Sequence, residues 1–212
     1  MFPLCATARS RHIPIFTFGL ILANAVVYWH QRNLPPWDHL AFVFQYHVVP
    51  AHLMANPLRE LPTLLTSMFL HGSFSHLLGN MWFLWIFGDD VEGKLGRFRF
   101  LMFYFVAGVA AGLTEVLTSP TSHRGCIGAS GAISGVLGAY MYWFPGATIT
   151  SLLFLGPIIK RIEIPAVVFL GIWIAMQLAA VWSGGGGNVA WYAHVGGFVA
   201  GLLLAMLVPR PK

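Results

Sequence analysis

Ser130, His194, His76 and Asn80 are the residues of this chain whose types and settings could do chemistry. A serine hydroxyl is a weak nucleophile until a base takes its proton, and histidine suits that task near neutral pH. The tetrahedral intermediate of such an attack needs donors aimed at its oxyanion, which an Asn amide, a His N–H and a backbone N–H can supply. Ser130 stands in Gly128-Ala129-Ser130-Gly131, and His194 in Ala193-His194-Val195-Gly196-Gly197. His76 and Asn80 are four residues apart and so share one face of a helix. The inventory suits hydrolysis by Ser130 and His194, with Asn80, His76 and the Ser130 amide available to the oxyanion. No Asp lies near these segments, and Glu115 is the sole acid within a long apolar stretch, so the reading is a dyad.

Taken singly, each residue has a plainer explanation. Serine between glycines packs helices closely, a lone histidine sits at interfaces, and a His/Asn pair can join two helices. The chemical reading therefore depends on elements that deliver all of them to one level.

Those elements are legible in the composition. Of 212 residues, 57% are hydrophobic and only 9% charged, and mean hydropathy is +0.71. So little charge cannot cover a water-facing surface, which points to lipid as the main solvent. The net charge of +5 does not indicate nucleic acid, because the 12 Lys and Arg are scattered between apolar stretches, where anionic headgroups suit them. Six segments have spanning character: 13–30, 66–88, 99–118, 127–144, 164–182 and 190–208. The expected fold is an all-α membrane protein, a bundle of six transmembrane helices over residues 13–208. Residues 1–12 form a short cytoplasmic N-terminus and 209–212 a cytoplasmic tail. Residues 31–65, broken by Pro35, Pro36, Pro50, Pro57 and Pro62, read as a long outer loop partly sunk in the interface, and 145–163 as a connector.

Six spans put both termini on one side. With the N-terminus inside, Arg9, Arg11, Lys94, Arg97, Arg99, Lys160, Arg161, Arg210 and Lys212 lie inside, and only Arg32, Arg59 and Arg124 outside. Nine against three selects N-in, C-in. Spans two, four and six then all begin at the outer face, so their first turns carry His76, Asn80, Ser130 and His194 at one depth. Gly128, Gly131, Gly135 and Gly138 in span four, and Gly197 with Gly201 in span six, allow close helix approach. Gly128 and Gly131 would also leave room for a substrate backbone beside Ser130. Cys5 and Cys126 suggest no disulfide framework; Cys126 reads as a free buried thiol. No signal peptide is expected.

The motifs resemble those of the rhomboid family of intramembrane serine proteases, from about residue 60 to 205. His71-x4-His76-x3-Asn80, Gly128-Ala129-Ser130-Gly131 and Ala193-His194-x2-Gly197-x3-Gly201 carry the resemblance, with Glu92-Gly93-x2-Gly96 and Glu163-Ile164-Pro165-Ala166 beside them. It implies a serine endopeptidase that cuts single-pass or other transmembrane substrates near the outer leaflet, with no metal or cofactor. It implies Ser130 as nucleophile, His194 as base, His76 and Asn80 at the oxyanion, and His71 lining the pocket. Where some members carry an aromatic packed on the histidine, this chain has Ser134, which leaves Ser134 or a water to orient His194. Trp37 is followed by Asp38 where many members carry Trp-Arg. The six-helix form implies a bacterial inner-membrane protein with its site toward the outer face. Two competing readings are an inactive family member that binds membrane clients, and a transporter with the histidines as proton relay. The intact dyad argues against the first, and the apolar inner halves of the spans against the second.

Overall fold

The computed structural model describes residues 1–8, 13–156, 158–184 and 189–208. Six long helices correspond to the six apolar segments: α1 (Ile15–Asn33), α6 (Phe74–Leu95), α7 (Arg97–Thr118), α8 (Ser130–Trp143), α9 (Ala166–Trp182) and α10 (Trp191–Met206). Among the described residues, α7 alone is long and apolar enough to cross a membrane by length and composition, while α9 and α10 are apolar but shorter. α6 begins eight residues later than the apolar run suggests, because Ser67–Phe69 forms a short 3-10 turn and Ser73 caps the helix, its Oγ accepting from His76 N at 3.1 Å.

Two connectors differ from expectation. Residues 31–65 are not an irregular loop but hold α2 (Pro36–Tyr46), α3 (Pro50–Ala55), α4 (Pro57–Glu60) and α5 (Thr63–Thr66). Pro36, Pro50 and Pro57 each open a helix, where a missing N–H costs nothing. The fold is also not all-α. β2 (Thr148–Leu155) and β3 (Ile158–Pro165) form an antiparallel hairpin, and β1 (Phe2–Ala6), from the stretch expected to be a plain N-terminal tail, pairs with β2 in the order β1-β2-β3. β1 lies along α6, where Trp82 Nε1 donates to Pro3 O at 2.7 Å and the Trp82 ring stacks on Phe2. β3 runs directly into α9. Arg9, Arg11, His12, Arg210 and Lys212, four of them in the charge tally, lie outside the described residues, as does the tail 209–212.

The core runs between α6, α7, α8 and α10, with Phe87, Phe100, Tyr104, Leu137 and Tyr140 buried. α10 packs most closely on α8 and α7. The glycines make this contact one of backbone on backbone: a Cβ at Gly197 would meet the carbonyl oxygen of Gly131, and one at Gly201 that of Gly135. Outward-facing surfaces are apolar, with Leu22, Met102, Trp182 and Leu203 exposed on four different helices, a surface suited to lipid. At the end of α1 away from Gln31, Glu92 of α6 supplies the missing cap: its carboxylate accepts from Phe16 N, Thr17 N and Thr17 Oγ at 3.1, 2.7 and 2.8 Å.

Candidate active site

Three helix starts converge. Ser130 is the first residue of α8, His194 the fourth of α10, and His76 and Asn80 lie in the first two turns of α6. Ser130 Oγ is 2.9 Å from His194 Nε2, a hydrogen-bonded pair between side chains 64 residues apart. As the first residue of α8, Ser130 presents a backbone N–H in the turn whose amides have no intrahelical partner. α10 is held from the side. Ala190 offers no side-chain cap, and Glu115 of α7 instead accepts from Ala193 N at 3.1 Å, next to the histidine. The rings of Trp173 and Trp191 flank His194 at centroid separations of 6.1 and 5.9 Å.

Ser134 does not orient His194. Its hydroxyl donates to Ser130 O one turn back, at 2.6 Å, as a serine within a helix readily does. The second ring nitrogen of His194, Nδ1, lies instead 2.8 Å from Oε1 of Gln177 on α9. Sequence reasoning missed this residue: a single polar side chain in an apolar helix, 17 residues from its partner, carries no spacing signal.

His71 stands behind the site as a support and borders neither of the two cavities there. It is fully buried, its Nδ1 faces Phe69 O at 3.4 Å, and its Nε2 is 2.9 Å from Asn80 Nδ2. With Nδ1 donating to that carbonyl, Nε2 accepts from the Asn80 amide and fixes its orientation. Gln31 of α1 holds His71 in turn, donating from Nε2 to His71 O at 2.9 Å and accepting from His71 N at 3.3 Å. The glycines of the serine motif also leave room for close neighbours. A Cβ at Gly131 would press on Ala111 at 2.7 Å, and one at Gly128 on the His76 ring at 2.8 Å. Gly128 has φ +121°, a conformation that favours glycine.

Two cavities meet at the pair, both bordered by His76, Asn80, Ser130 and His194. The smaller, about 270 Å³, is walled by Phe83, Ile133, Leu137 and Trp173 between α6, α8 and α9. The larger, about 890 Å³, reaches past Glu115, Ser122, Arg124 and Tyr192 and is the more polar. Beside it Cys126, a free thiol, is only partly buried; loss of hydration, with the Glu115 charge adding to it against Arg124, pushes the thiol up to about 12 and keeps it unreactive. An apolar hollow and a more polar one thus both open on the Ser130 hydroxyl, space that would suit an uncharged chain segment in the first and water in the second.

Comparison with known proteins gives a consistent picture. The profile of the Rhomboid domain matches residues 58–211. The Bacillus subtilis rhomboid YdcA is 30% identical over 203 residues, 95% of this chain and 92% of its own length. Rhomboid protein 1, mitochondrial, of Saccharomyces cerevisiae is 31% identical over 218 residues, 94% of this chain and 58% of that protein. Rhomboid protease GluP of Bacillus subtilis is 33% identical over 149 residues, 70% of this chain but 26% of that longer protein.

Proposed function

The chain belongs to the rhomboid family, and we propose that it is an intramembrane serine endopeptidase acting through Ser130 and His194. Family membership implies an integral membrane protein, and relatives in the family are named as proteases. The observation that carries the proposal is the 2.9 Å separation of Ser130 Oγ and His194 Nε2.

In the proposed reaction the hydroxyl attacks a substrate carbonyl while its proton passes to His194 Nε2. The resulting oxyanion is met by the Ser130 N–H, the Asn80 amide and His76. The carbon–nitrogen bond then breaks, and the imidazolium returns its proton to the leaving amine. Water arriving through the larger cavity gives a proton to the same nitrogen as it attacks the acyl-enzyme, and Ser130 recovers the proton on release. Substrates are transmembrane segments of other proteins, entering from lipid. Six helices in the order α1, α6, α7, α8, α9, α10 cross the bilayer as one protease domain, with both termini inside and the site toward the outer face of a bacterial inner membrane. In that arrangement Lys94, Arg97, Arg99, Lys160 and Arg161 sit at the end opposite the site, which follows the positive-inside bias.

The test is cleavage of a reporter transmembrane substrate in vesicles by the wild type and Ser130→Ala. Loss of cleavage in a variant that unfolds at the wild-type temperature is expected. Retained cleavage would overturn the assignment, and a wild type that binds but does not cut would favour the client-binding reading.

A further inference from the structure

Gln177 of α9 lies against His194 in a geometry that does more than fill space. Its amide Nε2 donates to Trp173 O at 3.2 Å, one turn back on the same helix, and this turns Oε1 toward the histidine. An amide oxygen can only accept, so at 2.8 Å from it His194 Nδ1 must carry the proton. In a neutral imidazole the other nitrogen then holds the lone pair, and that nitrogen, Nε2, is the one 2.9 Å from Ser130 Oγ. The opposite tautomer would set a lone pair against the amide oxygen and a proton against the serine hydroxyl, where no base would be available.

The other neighbours do not accomplish this. Ser134 spends its hydroxyl on Ser130 O, Trp173 and Trp191 restrain the ring plane without accepting a hydrogen bond, and Glu115 grips the backbone at Ala193. Gln177 is buried and both ends of its amide are engaged, so its orientation is fixed. We infer that Gln177 is a positioning residue that selects the reactive tautomer of His194, completing a Ser–His–Gln relay in which the third member arrives from a helix bearing neither of the other two. The inference rests on the serine-protease reading and deepens it. As the proton moves from Ser130 to Nε2, the same amide oxygen accepts from the imidazolium, so the residue supports the ring in both states without itself gaining or losing a proton.

The test compares steady-state cleavage by the wild type, Gln177→Met, Gln177→Glu and Ser130→Ala, each with its unfolding temperature. Methionine keeps the chain length and removes the strong acceptor; glutamate restores an accepting oxygen. The expected result is a fall in kcat of about 10–100-fold for Gln177→Met at nearly constant KM, with recovery toward wild type in Gln177→Glu. A wild-type kcat in Gln177→Met would overturn the inference. So would equal losses in both Gln177 variants that follow their loss of thermal stability, which would make the residue structural. Cleavage persisting in Ser130→Ala would sink the underlying protease reading instead, a separate result.

Discussion

At the scale of single residues, the candidate site is a chain of hydrogen bonds in which His194 and Asn80 are each held by a less conspicuous group. His194 is held by Gln177, Asn80 by His71, and His71 by Gln31. The candidate reactive members could be picked out of the sequence because hydrolysis restricts which residue types can serve, and the structure places them at helix starts. Gln177 and Gln31 could not, because a buried amide that holds another group has no fixed spacing from it. His71 shows the intermediate case: its motif position was legible, but its direction, toward Asn80 rather than the pocket, follows from tertiary packing. If Asn80 serves the oxyanion, Asn80→Ala should lower kcat/KM by about 10²–10³, well beyond the loss of stability expected from leaving the buried His71 Nε2 unpaired. His71→Ala should cost the rate less, because the Asn80 amide remains present, while lowering the unfolding temperature through the cavity left at a fully buried position. Equal rates for Asn80→Ala and wild type, measured on one reporter substrate, would remove Asn80 from that role.

At the scale of elements, the long helices followed from apolar length, and the close α8–α10 contact from glycine spacing. The sheet was missed although its signal was present. Thr148, Ile149 and Thr150, then Ile158, Ile159, Ile162 and Ile164, are β-branched residues around Gly156-Pro157, a hairpin pattern inside what read as a connector. The short helices of 31–65 are hidden for a different reason: proline signals a break in an apolar run, whereas at a first helical position it is a starter. The α8–α10 contact yields a sharp prediction. Gly197→Val would drive a side chain into the Gly131 carbonyl directly after Ser130. It should destabilise the protein by about 1–3 kcal/mol or more and reduce cleavage with it. Gly171→Ala on α9, where a Cβ meets nothing within 4 Å, should leave the unfolding temperature in micelles essentially unaltered. A Gly197→Val protein as stable as wild type would contradict the backbone-on-backbone reading of that contact.

At the scale of the whole molecule, the architecture separates two tasks. One end gathers the starts of α6, α8 and α10 and holds the candidate active site. Away from it, β1 fastens to α6 and β3 leads into α9, so the sheet ties together two helices that border the apolar hollow beside Ser130. Charge asymmetry in the sequence led to the proposed orientation, but the bracing sheet became visible only in three dimensions, since it joins residues 2–6 to residues 148–165. On the proposed function, this assembly turns Ser130 into a nucleophile. That reactivity is tested most directly by a fluorophosphonate probe applied to the protein in lipid vesicles, with the modified residue located by mass spectrometry. Covalent labelling is expected at Ser130 in the wild type, none in Ser130→Ala, and a marked loss in His194→Ala. A wild type that stays unlabelled, or a Ser130→Ala protein that labels as the wild type does, would contradict the proposed function.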